Sequence, residues 1–83
     1  MYSLKALPSA CRDLDSLDSP ILKRLKPKLL ALQTDPRPDG CVKLTGEEGY
    51  RIRVGDYRVL YRVDDPVRTV YLYRIRHRKD VYR

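Results

Sequence analysis

Residues 50–63 read YRIRVGDYRVLYRV, and this stretch decides the fold. Apolar and basic residues alternate along it with a period of two, the period of a half-buried strand. The alternation breaks once, at Gly55 and Asp56, a pair suited to a two-residue hairpin turn. A turn there fixes the register. Val54 then pairs with Tyr57, Arg53 with Arg58, Ile52 with Val59 and Arg51 with Leu60. Tyr50, Ile52, Val54, Tyr57, Val59, Tyr61 and Val63 fall on one face, which must be the core face. Arg51, Arg53, Arg58 and Arg62 fall on the other. Like charges placed opposite each other, as with Arg53 and Arg58, cost some tenths of a kcal/mol. A solvated sheet face explains any single arginine. Three arginines converging on adjacent strands with no acid among them point to an anion site.

Working outward, a turn at 64–66 leads into VRTVYLYRI at 67–75, a third strand of the same meander. With that turn at face value, Arg68, Val70, Leu72 and Arg74 join the arginine side; a one-residue slip swaps its faces. The unslipped register leaves Leu60, Val70 and Leu72 as an apolar patch among cations, a pattern that marks partner surfaces. Upstream, residues 41–45 read as a short strand and 46–49 (GEEG) as a turn. Farther back the period becomes helical. Ile21, Leu22, Leu25, Leu29 and Leu32 share one helix face, with Ser19 as N-cap and Pro20 in the first turn. Pro27 predicts a kink or a helix in two pieces. A shorter helix opens at Pro8 and Ser9, with Ser9 as N-cap and Ala10, Leu14 and Leu17 on one face. Residues 2–6 alternate as a first strand. The order β-α-α-β-β-β-β predicts an α+β fold: two N-terminal helices packed on one face of a twisted, mainly antiparallel sheet.

Composition agrees. Eighty-three residues are expected to make a single domain, 1–83, burying about 60–65% of the unfolded surface. Lys and Arg number 18 against 11 Asp and Glu, a net charge of +7. Residues 50–83 hold ten basic and four acidic side chains, so +6 of that charge sits there, and nine of the ten are arginines. Arginine's planar fork suits bidentate contact with phosphate. Polyanions are the expected partners. The longest purely apolar run, Leu29 to Leu32, is far short of the ~20 residues of a membrane span, and the first residues lack the apolar stretch of a signal peptide. No membrane association is expected, and a reducing cytoplasmic setting with free thiols is. Two cysteines, Cys11 and Cys41, and one histidine do not make a four-ligand zinc site, so no metal and no cofactor is expected. Both cysteines read as small buried or half-buried side chains. The ending RIRHRKDVYR gathers Arg76, Arg78, Lys79 and Arg83 with His77 and Tyr82. Docked beside the sheet, it adds a stacking ring and an imidazole to the arginine site.

The run KLTGEEGYRIRVGDYRVLYRVDD together with the ending IRHRKDVYR resembles the RelE family of bacterial toxin–antitoxin systems. The resemblance covers the whole chain in order. It implies a ribosome-dependent mRNA endoribonuclease that cuts mRNA in the A site. The implied reaction is attack of a ribose 2′-OH on the neighbouring phosphate. Its implied partners are the ribosome, mRNA and a cognate acidic, RelB-like antitoxin, with the isolated toxin monomeric and a hetero-oligomer forming with the antitoxin. By the same resemblance, Arg51 and Arg53 stand at two basic positions where well-studied members carry lysines. Arg58 matches the arginine of the GDYR segment, Arg78 the arginine of the C-terminal motif, and Tyr82 its terminal tyrosine. These five are the expected catalytic set. Lys43, Arg62, Arg74, Arg76, Lys79 and Arg83 are expected to contact RNA or ribosome.

Fixed guanidinium groups suit phosphoryl transfer, which is largely positioning and charge stabilisation. They leave the general base open, because arginine stays protonated. The candidates are His77, Tyr82 lowered by its cationic surroundings, or no strong base at all, with the cations acidifying the 2′-OH directly. Two other readings fit the same fold: a ParE-like inhibitor of DNA gyrase and a non-catalytic RNA-binding module.

Overall fold

The two helices begin where proline permits them. Pro8 stands in the first turn of α1 (Pro8–Asp15) and Pro20 in the first turn of α2 (Ser19–Ala31), where a missing N–H costs little. The structure, a computed structural model, describes residues 1–79. The N-cap positions fall at Leu7 and Asp18 rather than at Ser9 and Ser19, and neither carries a side-chain cap. The Ser9 hydroxyl instead donates to the Tyr73 carbonyl at 2.6 Å and ties α1 to the sheet. The helix α2 runs through Pro27 as one element. Pro27 and Lys23, whose carbonyl loses its partner, are both exposed, so water can serve that carbonyl while buried Leu25 and Leu29 hold the helix down. Leu22, expected on the buried face, is exposed at its edge.

The sheet has five strands: β1 (Ser3–Ala6), β2 (Val42–Lys43), β3 (Tyr50–Val54), β4 (Tyr57–Asp64) and β5 (Thr69–His77). Their spatial order is β1-β5-β4-β3-β2. The pair β1–β5 is parallel and every other pair antiparallel. This is the expected α+β fold with the expected order of elements. The hairpin register is the expected one, with Arg53 opposite Arg58 and Arg51 opposite Leu60. Gly55 turns with φ +60°, and a Cβ there would sit 2.8 Å from the Arg24 guanidinium. At Gly49 (φ +121°) a Cβ would lie 2.6 Å from the Tyr61 carbonyl oxygen, so only glycine lets β3 start this close to β4.

The last strand departs from expectation. On β4, Leu60 pairs with Arg74, but the next residue, Tyr61, pairs with Leu72. Tyr73 is therefore an extra residue, a β-bulge. The bulge changes parity within β5. Arg74 and Arg76 lie on the arginine face, whereas Val70 (0% exposed) and Leu72 (2%) lie in the core. The apolar patch of Leu60, Val70 and Leu72 thus does not exist; only Leu60 faces the cations. The turn before β5 is also longer than read. It closes through the Arg68 N–H to the Asp65 carbonyl, with Arg68 at φ 48°.

The core lies between the helices and one sheet face. Ala10, Leu25, Leu29 and Leu32 meet Ile52, Val54, Val59, Tyr61, Val70, Leu72 and Ile75. Each fully buried large side chain contributes about 1.5–3 kcal/mol. The fully buried Tyr61 donates its hydroxyl to the Pro36 carbonyl at 2.7 Å, which anchors the loop after α2. Burial holds the Tyr61 phenol well above the ordinary tyrosine range. The same loop is fastened outside by Arg37, which pairs with Asp65 (2.7 Å) and donates to the Tyr50 hydroxyl (3.0 Å). Tyr2 also donates to Asp65, at 2.6 Å. Of the cysteines, Cys41 is half-buried and Cys11 is exposed, so the expectation of a covered thiol fails for Cys11.

Candidate functional site

The face of the sheet away from the helices carries a row of cations fixed by strand register. Arg53 on β3, Arg58 on β4 and Arg76 on β5 are successive cross-strand partners. The next row is Arg51, Leu60 and Arg74. Register alone thus sets five arginines side by side. Arg58 lies at the centre and is only 8% exposed. A stable sheet would alternate charges at such positions. The arrangement instead concentrates positive potential on a surface with a low-dielectric core beneath, where fixed charges act most strongly.

Beside this row lies a cleft of about 390 Å³ lined by Arg53, Gly55, Asp56, Arg58, Arg78 and Lys79. It brings together three of the expected catalytic residues, Arg53, Arg58 and Arg78. Arg78 is held there by its backbone: its N–H donates to the Asp56 carbonyl at 2.7 Å, which carries β5's pairing on to the hairpin turn. Its side chain stays exposed, with a long 3.9 Å contact to the Asp56 carboxylate. A second cleft of about 410 Å³ adjoins the first across Arg58 and includes Arg51, Leu60, Tyr73, Arg74 and Arg76. Arg74 is partly neutralised here, since its Nε donates to Asp13 on α1 at 2.9 Å. Asp13 also accepts from the Ile75 N–H, so α1 grips β5 at the bulge residue through Ser9 and just beyond it through Asp13.

Other expected residues fall elsewhere. Arg62 lies on the arginine side, its guanidinium 6.0 Å from the Tyr73 ring centre, but toward the opposite end of the sheet. Lys43 pairs with Tyr50 and His77 with Tyr57, so register directs both to the side that bears the helices. His77 meets the Tyr57 ring edge-on at 5.1 Å, and its Nδ1 accepts from the Lys79 N–H. Neither geometry brings the imidazole into the arginine row. Tyr82 and Arg83 lie outside the described residues. Among the described residues, no three His, Cys, Asp or Glu side chains gather as a metal would require.

Sequence reasoning missed Tyr73 and Asp13. The signal for the bulge was present. Val70 and Leu72 are two apart, but the next core residue, Ile75, is three farther on, and strict alternation cannot bury all three. Nothing comparable marks Asp13, which is one of two acids on α1.

A model of the family described as "ParE toxin of type II toxin-antitoxin system, parDE" matches residues 4–82. The chain belongs to the RelE/ParE family of type II toxin–antitoxin toxins. Toxin RelG of Mycobacterium tuberculosis is 50% identical over 34 residues, 41% of this chain and 39% of that protein, so the match spans well under half of the curated relative. The toxin in the crystal structure of the toxin–antitoxin complex RelBE2 from Mycobacterium tuberculosis is 32% identical, with 92% of this chain and 90% of that chain covered and a TM-score of 0.83. The isolated E. coli RelE toxin is 29% identical over 99% of this chain and 92% of its own, with a TM-score of 0.82. Its counterpart in the intact E. coli RelBE complex is 28% identical over 90% of this chain and 94% of its own, at 0.80.

Proposed function

We propose that this toxin is a ribosome-dependent, metal-independent mRNA endoribonuclease. The observation that carries this reading is the register-fixed row Arg53–Arg58–Arg76, with Arg78 across the cleft that Arg53 and Arg58 line. Arg53, Arg58 and Arg78 suit one phosphate that gains charge as it becomes five-coordinate, and Arg76 adds to the field from the adjoining cleft. In the reaction the 2′-oxygen bonds to phosphorus and the bond to the 5′-oxygen breaks. The products are a 2′,3′-cyclic phosphate and a 5′-OH. The 2′-OH loses its proton to water, its acidity raised by the neighbouring cations, and the 5′-oxygen takes one from water. His77 is not assigned the base, because it leaves the sheet on the helix side. Arg51 supports the field from the neighbouring row. Lys79, Arg74, Arg62, Lys43 and Arg83 bind RNA or ribosome more peripherally. A site without a strong base depends on an in-line geometry imposed from outside, which accounts for a requirement for the ribosome.

The partners proposed are the ribosome with its mRNA and an acidic, RelB-like antitoxin. The similar chains in the RelBE2 and E. coli RelBE structures are complexes of this type. The free toxin is proposed to be monomeric and cytoplasmic. No helix among the described residues is long and apolar enough to cross a membrane.

A translation complex with an occupied P site and an empty A site tests the reading. Wild type is expected to cut the mRNA, and Arg58→Ala and Arg78→Ala to cut at least about a hundredfold more slowly. Intact mRNA with ribosome-bound wild type overturns it. A second reading is favoured by the ParE description of the matching family model. Inhibition of gyrase supercoiling without mRNA cleavage would establish that one instead.

A further inference from the structure

One edge of the sheet is finished by side chains rather than by a strand. β1 lies along β5 only from Thr69 to Leu72, where Ala6 is the last partner. Beyond Leu72, β5 carries Arg74 and Arg76, and the start of α1 takes over that edge. The Leu7 N–H donates to the Leu72 carbonyl at 2.9 Å, the Ser9 hydroxyl to the Tyr73 carbonyl at 2.6 Å, and the Ile75 N–H to the Asp13 carboxylate at 2.9 Å. These bonds fall where the strand needs them, because the bulge at Tyr73 interrupts its ladder with β4.

Asp13 does more than finish an edge. The oxygen that takes the Ile75 N–H, Oδ2, also accepts from the Arg74 Nε at 2.9 Å. An edge N–H needs only a neutral acceptor, and a carboxylate beside a cationic site weakens its field. Charge alone therefore argues against an acid at this place. What the acid supplies is direction. A charge-assisted bond is short and strong, and Asp13 is well covered, its side chain 19% exposed against 39% for Arg74. The bond is side-on, through Nε, and among the described residues Arg74 makes no other side-chain hydrogen bond. Its outer fork of two NH2 groups is left for the second cleft, which Arg74 lines with Arg51 and Arg76. Asp15, the other acid of α1, is exposed and makes no ion pair among the described residues.

The row Arg51–Leu60–Arg74 lies two residues along the strands from the row Arg53–Arg58–Arg76. Two residues of strand span about 6.6–6.8 Å, comparable with one step from phosphate to phosphate along a single RNA strand. We propose that Asp13 is a positioning residue of this face. It acts through Arg74 and holds that fork toward the phosphate one nucleotide away from the scissile one. Through the Ile75 N–H it also steadies the segment of β5 that carries Arg76. The inference rests on the nuclease reading of the same face and adds a residue, outside the sheet, that orders it.

Charge and positioning predict opposite signs, and RNA binding reads the sign without catalysis. The probe is a short, dye-labelled single-stranded RNA, 2′-O-methylated throughout so that it cannot be cut. Fluorescence anisotropy at low salt follows its binding to the isolated toxin, and circular dichroism checks that each variant is folded. Removing a negative charge should tighten the hold on a polyanion, and Asp15→Asn is expected to do so slightly. Asp13→Asn removes the same charge and keeps an acceptor for the Ile75 N–H. It is expected instead to weaken binding at least about threefold, by loosening one charge-assisted contact. On an Arg74→Ala background it is expected to cost nothing further. Asp13→Asn binding as tightly as wild type or more tightly overturns the proposal, and so does a loss that persists undiminished without Arg74. Programmed ribosomes separate the two ideas. Weaker RNA binding through Arg74, in a toxin that leaves the mRNA intact, sinks the nuclease reading and leaves the positioning role standing. Cleavage at the wild-type rate by Asp13→Asn, with RNA binding undiminished, does the reverse.

Discussion

Deleting Tyr73 removes a residue from the interior of a central strand, yet it should be tolerated. The bulge makes Tyr73 supernumerary, so its removal lets Leu72 stay opposite Tyr61, Arg74 opposite Leu60 and Ile75 opposite Val59. No core residue changes face. The losses are the hydrogen bond from Ser9 to the Tyr73 carbonyl and the contacts of a half-buried ring. One hydrogen bond is worth about 1 kcal/mol, and the ring adds a comparable amount, for a total of about 1–2 kcal/mol. For a domain of this size each kcal/mol lowers Tm by about 4–8 °C. Deleting Tyr71, two residues away, is the control. The strand can then keep both Arg74 and Val70 in place only by moving Leu72 outward and Tyr73 into the core. That forfeits about 1.5–3 kcal/mol of Leu72 burial and adds about 1–3 kcal/mol of overpacking. The sum, about 2.5–6 kcal/mol, rivals the total of about 4–12 kcal/mol expected for 83 residues. Urea and thermal unfolding followed by circular dichroism compare the two. Equal stability of the two deletions, or an unfolded Tyr73 deletion beside a folded Tyr71 deletion, would refute the bulge as the cause of the parity change.

Three further outcomes follow from the same geometry. Arg53→Thr relieves the like-charge pair with Arg58 and should raise stability by a few tenths of a kcal/mol, while slowing mRNA cleavage; a lower urea midpoint contradicts it. Tyr61→Phe leaves the Pro36 carbonyl buried without its donor and should cost about 1–3 kcal/mol in urea unfolding, with no change in the cleavage rate per folded molecule. Asp65 is held below the usual carboxylate range, first by its hydrogen bond from Arg37 and then by that from Tyr2. A depressed folded pKa contributes stability that is present above the unfolded value, near 3.9, and is lost as pH falls through the folded one. Asp65→Asn should therefore flatten the acid limb of a Tm-against-pH curve below about pH 5, and an unchanged limb counts against the Arg37 anchor.

Much of this molecule can be read from one hairpin. The alternation of residues 50–63 carries register, core face and arginine face together, because a period of two leaves no freedom once the turn is placed. Pro8 and Pro20 likewise mark helix starts to within a residue. Legibility ends where one residue has no partner. Tyr73 looks like any strand residue, and only the uneven spacing of Val70, Leu72 and Ile75 betrays it. The candidate site follows the same division. Arg53 and Arg58 meet as their spacing requires. Arg76 joins them only through a pairing that the sequence leaves open, and the side taken by His77 depends on that pairing too. The contacts of Asp13 and Arg37 span 62 and 28 residues of chain, and local pattern carries no information at such separations.

The sheet order has a kinetic consequence. β1 is made first, yet among the described residues its only partner in the sheet is β5, with Ser3 beside Thr69. A nascent chain that has reached β4 holds two arginines of the central row and a first strand with nothing to pair with. Pairing of such distant segments is slow, because loop closure precedes any return from contact. The arrival of β5 closes the sheet, buries Val70, Leu72 and Ile75 and delivers Arg76 in one step. The row of arginines is thus incomplete for as long as the chain is, and it is assembled only by the strand that completes the fold.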